Sequence, residues 1–133
     1  MKWIKYCSAL FLAVALIGCV RITDGIKCVA GVSTTVLETG RKSAIRKIFN
    51  IDYATCDKKV REMLKNTGSY IYAEDKAKGL IAFYVSTSDT TPVGIFFIQI
   101  DAVTTELEIS SPSTNAKEVI SKKIFDAVEG KKD

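Results

Sequence analysis

Residues 79–100 read GLIAFYVSTSDTTPVGIFFIQI. Two apolar runs, Leu80 to Thr87 and Val93 to Asp101, flank a turn at Ser88-Asp89-Thr90-Thr91-Pro92. Both runs are rich in Ile, Phe, Tyr and Val, residues that suit a pleated strand. The second run is apolar at consecutive positions rather than alternate ones. A strand covered on both faces carries that signature, whereas a half-buried strand alternates. The stretch therefore predicts two adjacent strands, the second either central or an edge hidden by a partner.

Working outward, Ser69 to Ala73 reads as a strand joined to the pair by the turn Glu74 to Gly79, and Thr104 to Ser110 reads as another. In the latter, Leu107 and Ile109 are expected inward, with Glu106 and Glu108 outward on a solvated face. Upstream, Arg46 to Tyr53 alternates Phe49, Ile51 and Tyr53 with Asn50 and Asp52, which predicts a half-buried strand. Between Thr55 and Thr67, Cys56, Val60, Met63 and Leu64 share one helical face, with Thr55 as the cap and Gly68 as the stop. A last helix is expected from Asn115 to Glu129, with Ala116, Ile120, Ile124, Ala127 and Val128 as its stripe and an Asn115–Glu118 capping box. The order is β-α-β-β-β-β-α. An α+β domain over residues 45–130, an antiparallel sheet with two helices packed on one face, buries every stripe at once.

The N-terminal stretch MKWIKYCSALFLAVALIGCV has Lys2 and Lys5 at its head and no charge from Tyr6 to Val20. That run falls short of the roughly 20 apolar residues that a spanning helix needs, and reads as a signal segment. Its end, Leu16-Ile17-Gly18-Cys19, resembles the lipobox of bacterial lipoproteins. The resemblance implies cleavage after residue 18 and diacylglyceryl and palmitate-type acylation at Cys19. Two or more acyl chains anchor a domain stably. Residues 19–44 are then a tether, turning into a short strand or irregular segment around Cys28 to Leu37. Val20, where an Asp would favour inner-membrane retention, implies the outer membrane, facing the periplasm. The element order and the segment quoted first, ahead of a final helix AKEVISKKIFDAVEG, also resemble small helix-grip-like domains of envelope lipoproteins such as BamC.

The 133 residues are 47% hydrophobic and 26% charged, enough for one domain with a packed core. The net charge of +4 falls further once Lys2 and Lys5 leave, too weak a bias to argue for nucleic acid. The chain has no histidine. That removes Ser-His-Asp triads, Cys-His dyads and the usual zinc sites in their common forms. No catalytic residue, metal ligand or cofactor is expected. Ser110-Ser111-Pro112-Ser113-Thr114 reads as a loop and helix cap rather than a nucleophile cluster. Cys28 and Cys56 could form a disulfide in an oxidising compartment, and Cys56 could equally be a buried free thiol.

Arg41, Lys42, Arg46 and Lys47 form the densest basic patch, either a soluble surface or a contact with anionic headgroups. The residues of the decisive strand, Val93, Ile95, Phe96, Phe97 and Ile98, are the expected interaction surface for an envelope partner. The function expected is a non-enzymatic, lipid-anchored interaction or assembly accessory. The alternative is a carrier holding an apolar molecule between the sheet and the last helix, lined by the sheet's aromatic residues.

Overall fold

The computed structural model describes residues 33–131, of which 34–131 belong to one compact unit. The expected signal segment, Cys19, Cys28 and the expected tether up to residue 32 lie outside the described residues. In chain order the elements are α1 (Thr35–Thr39), a 3₁₀ turn (Gly40–Ser43), β1 (Ile45–Phe49), α2 (Tyr53–Asn66), β2 (Tyr70–Asp75), β3 (Leu80–Tyr84), β4 (Pro92–Asp101), β5 (Thr104–Ser110) and α3 (Thr114–Glu129). The fold is α+β: among the described residues, one five-stranded antiparallel sheet, in the spatial order β1-β5-β4-β3-β2, with three α-helices.

β4 is the middle strand, and that position explains its apolar run. Alternate residues Val93, Ile95 and Phe97 enter the core shared with α2 and α3. They meet Ile81 and Phe83 of β3, Leu107 and Ile109 of β5, Val60 and Leu64 of α2, and Ile120, Ile124 and Val128 of α3. The intervening Phe96 enters a second, smaller core on the opposite face with Leu80, Ala82 and Leu37 of α1. Two faces are therefore covered, one by two long helices and the other by a short strap of α1 and the 3₁₀ turn.

The strap lies inside the stretch expected to be tether, so the folded unit extends upstream of residue 45. A single fully buried side chain, Leu37, seats it. Gly94 is the reason it can sit so close, because a Cβ there would lie 3.1–3.2 Å from Leu37 carbons. β1 ends at Phe49 rather than Tyr53. Asp52 caps α2 by accepting from Thr55 N at 3.0 Å and Thr55 Oγ1 at 2.7 Å, which draws Tyr53 into the helix and makes Asp52, not Thr55, the cap. α3 is likewise capped by Ser113, which accepts from Ala116 N at 3.2 Å, rather than by Asn115. Gly130 ends it in the left-handed conformation at φ 76°. β3 stops at Tyr84 because Ser86 N bonds Asp89 O at 3.1 Å and turns the chain. Among the described residues no helix is long and apolar enough to cross a membrane.

Candidate interaction surface

Strand alternation and the antiparallel register arrange the strap-side face as cross-strand rows. One middle row runs Leu80, Phe96, Glu108 and Arg46. The next runs Ala73, Ala82, Gly94 and Ser110. The strap lies over both. Outside it, one end carries the row Ile98, Glu106 and Ile48, and the other the row Tyr84 and Tyr70.

The strap is held mainly by polar groups. Ser110 Oγ donates to Leu37 O at 2.7 Å, and Lys117 Nζ donates to Ser43 O at 2.7 Å. Lys78 Nζ donates to Glu38 at 2.8 Å, a bond that, with one from Thr34, holds the Glu38 carboxyl below its usual range. The centre of the attachment is Glu108, whose side chain is 7% exposed. Arg41 Nε donates to it at 2.7 Å, and Arg46 Nε lies 3.3 Å from its other oxygen. The Arg41 guanidinium also sits 4.3 Å from the centre of the Phe96 ring. A buried carboxylate demands such compensation, because an unpaired one is strongly unfavourable in a dry environment.

This arrangement corrects two expectations and adds detail to a third. Glu108 is buried rather than solvated, and of the two glutamates only Glu106 is half-exposed. The basic patch is largely consumed by ion pairs: Arg41 and Arg46 serve Glu108, and Lys47 pairs with Glu129. The expected interaction surface is mostly core. Val93, Ile95 and Phe97 are buried against the helices and Phe96 under the strap, leaving Ile98 alone half-exposed. A strand in the middle of a sheet has no free edge to offer, which is the physical reason for the reversal.

What stays open on this face is therefore the aliphatic end. Ile48 is 58% exposed, Ile98 is half-exposed and pairs with Glu106, and Ile100, at the irregularity between Gln99 and Asp101, is 48% exposed. Exposed isoleucines grouped at one end of a sheet are more informative than scattered ones. The sequence offered a signal for Ile48, since RKIF places one apolar residue opposite the buried side of β1.

The aromatic residues are divided between the two faces. Phe83 and Phe97 belong to the core under the helices and Phe49 packs on Phe125 of α3 at 5.6 Å, whereas Phe96, Tyr70, Tyr72 and Tyr84 lie on the strap side. The space expected to hold an apolar molecule is filled by Ile120, Ile124 and Val128 packed against the strands. Ser110 and Ser111 donate to main-chain carbonyls and Ser113 caps α3, so this cluster is structural. Cys56 is a fully buried free thiol among apolar neighbours, and burial raises its pKa to about 11, so it is inert as a nucleophile. Among the described residues no group of three or more acidic or thiol side chains could hold a metal ion. No protein-family model matches the chain, and no curated protein matches it.

Proposed function

We propose that this chain is a lipid-anchored cell-envelope protein whose domain docks a partner protein on the strap-side face of its sheet, at the aliphatic end around Ile48, Ile98 and Ile100. The role is non-enzymatic. The anchor is Cys19, the last residue of Leu16-Ile17-Gly18-Cys19, and the proposed location is the outer membrane on its periplasmic side. The observation that carries the docking reading is the unequal cover of the two faces. Two long helices close one face, while the strap leaves half-exposed and exposed isoleucines uncovered on the other. Burying such side chains against a partner is favourable by about 25 cal/mol per Å² of apolar surface.

Two measurements on the full chain expressed in its native cell test the proposal. Mass spectrometry of the membrane-extracted protein is expected to give an N-terminal peptide that begins at acylated Cys19. A chain that keeps residues 1–18 without acylation would contradict the anchor. Ile48→Glu is expected to abolish co-isolation of the partner, with Lys58→Glu on the helix-covered side leaving it intact. Equal partner recovery from both variants would remove the docking surface.

A further inference from the structure

The two edges of the sheet differ. In β2 the register with β3 is interrupted between Ile71 and Ala73, an irregularity of the kind that spoils pairing at an edge. β1 runs without interruption, Ile45 to Phe49 pairing one for one with Ile109 to Thr105. Among the described residues no strand lies on its outer side. Arg46, Lys47 and Ile48 are all exposed.

Alternation decides which main-chain groups of β1 stay unused. Antiparallel strands exchange both bonds at every second pair, and the residues between turn their N–H and C=O the other way. Phe97 N donates to Gly79 O, so the odd-numbered residues of β4 bond towards β3 and the even-numbered ones towards β5. The even-numbered Gly94, Phe96 and Ile98 meet Ser110, Glu108 and Glu106, which leaves Leu107 and Ile109 of β5 to bond β1. Their partners there are Lys47 and Ile45. Arg46 and Ile48 therefore point N–H and C=O outwards, and these groups have no partner among the described residues.

Charge selects the strand that fits. Residues 40–49, GRKSAIRKIF, hold four cations and no carboxylate. Arg41 and Arg46 share Glu108, and Lys47 shares Glu129 with Lys131. Lys117 of α3 bonds the Ser43 carbonyl instead of a carboxylate, and Lys42 has no ion pair among the described residues. Two carboxylates thus serve four cations, while Lys42 and Lys117 have none. Even with Glu106, which lies across from Ile48, this edge keeps a positive excess. A second copy of β1 would set cations against cations, which is unfavourable across paired strands. An acidic strand meets both demands: its main chain bonds Arg46 and Ile48, and its carboxylates face the cations. We infer that the docking partner contributes an extended acidic segment that adds to β1 as a further strand. Its acidic residues lie opposite Arg46 and Lys47, and an apolar one lies opposite Ile48. The inference rests on the docking reading above and names the element that docks.

The probe is the end-capped peptide Thr-Val-Glu-Glu-Val-Thr, which reads the same in both directions, set against a counterpart with lysine for glutamate. Each is titrated into the full-length ¹⁵N-labelled chain in micelles of an uncharged detergent, and amide exchange is read by NMR. The acidic peptide is expected to slow exchange at Arg46 and Ile48 by about tenfold or more and to leave the inward-facing Lys47 amide unchanged. The lysine peptide should protect neither. Ile48→Pro takes away an outward N–H that the ladder to β5 does not use, and unchanged β5 signals show that the fold survives it. It should weaken binding of the acidic peptide by about tenfold, against less than about twofold for Ile48→Val. Lys42→Glu should weaken it by about threefold. Three results would overturn the inference: no protection at Arg46 and Ile48, equal protection by the two peptides, or equal binding by the proline and valine variants. Any of these, with partner recovery still lost in Ile48→Glu, removes strand addition and leaves the docking reading in place. Partner recovery kept in Ile48→Glu removes the docking reading, and this inference with it.

Discussion

The two faces of the sheet are built from the same strands and held by different forces. The helix face gathers Phe83, Ile95, Leu107, Ile109, Val60 and Ile124 into one apolar core under two capped helices. The strap face has one buried leucine from α1, one buried carboxylate and a set of hydrogen bonds and ion pairs. The hydrophobic effect scales with area and does not depend on direction, so it closes the first face over its whole extent. Polar attachment acts only where its atoms meet, so the second face is closed in the middle and open at both ends. A small domain can thus keep a stable core and still present surface to its surroundings.

The largest expected break in this contrast is Phe83→Ala. It should lower unfolding free energy by about 3–5 kcal/mol in urea melts, a large part of the stability of a small domain. Ile48→Ser on the open end should change it by no more than about 0.5 kcal/mol. Comparable losses from the two would mean that the faces do not differ as described.

Next in size are substitutions at the strap. Leu37→Ala should be destabilising by about 2–3 kcal/mol. Gly94→Ala should be destabilising by about 1–3 kcal/mol, because its new methyl meets Leu37. The double variant should lose less than the sum of the two, since removing Leu37 makes room for that methyl. Strict additivity would show that Leu37 does not seat against Gly94.

Much of this was legible in sequence, and the failures share a cause. β4 could be read because covering on two faces leaves a continuous apolar run. The stripes of α2 and α3 could be read because Cys56, Val60 and Leu64, or Ile120 and Ile124, repeat at the helical period. The strap could not, because TVLET has one buried residue and no period. Burial of Glu108 could not either, since TTELEIS alternates as an exposed strand would and its arginines lie more than 60 positions away for Arg41. The caps were misplaced by three residues and by two, because Asp52 and Ser113, upstream of Thr55 and Asn115, are the groups that accept from the first turn of each helix. Within the docking surface, only Ile98 of the expected strand residues is half-exposed, and Ile48 and Ile100 came from the structure.

Glu108→Ala should be destabilising by about 1–3 kcal/mol, since Arg41 and Arg46 lose a shared buried acceptor. Its effect should be accompanied by faster amide exchange in residues 35–43 and unchanged exchange in α3. Equal loosening of both would make the carboxylate part of the general core rather than the strap's attachment.

The smallest effect concerns pH. Bonds from Lys131 and Lys47 hold the Glu129 carboxyl down to about 2, against an ordinary 4.5. A carboxyl depressed in the folded state contributes stability above its unfolded value and loses it as pH falls through its folded one. That contribution is therefore complete above about pH 4.5 and fades towards pH 2. NMR titration of the carboxyl should find the low midpoint, and Lys47→Met should raise it. An unmoved midpoint would remove the Lys47 pair that joins β1 to α3.

The strap face, at its isoleucine end, is proposed as the place where a partner docks. The most direct measurement is a photo-crosslinking scan in living cells, with a photoreactive residue placed singly at Ile48, Ile100, Lys58 and Lys122. One discrete adduct is expected from Ile48 and Ile100 and none from Lys58 or Lys122, which are exposed on the helix-covered side. Adducts confined to the helix positions, or none from the isoleucines of an expressed and folded chain, would contradict it.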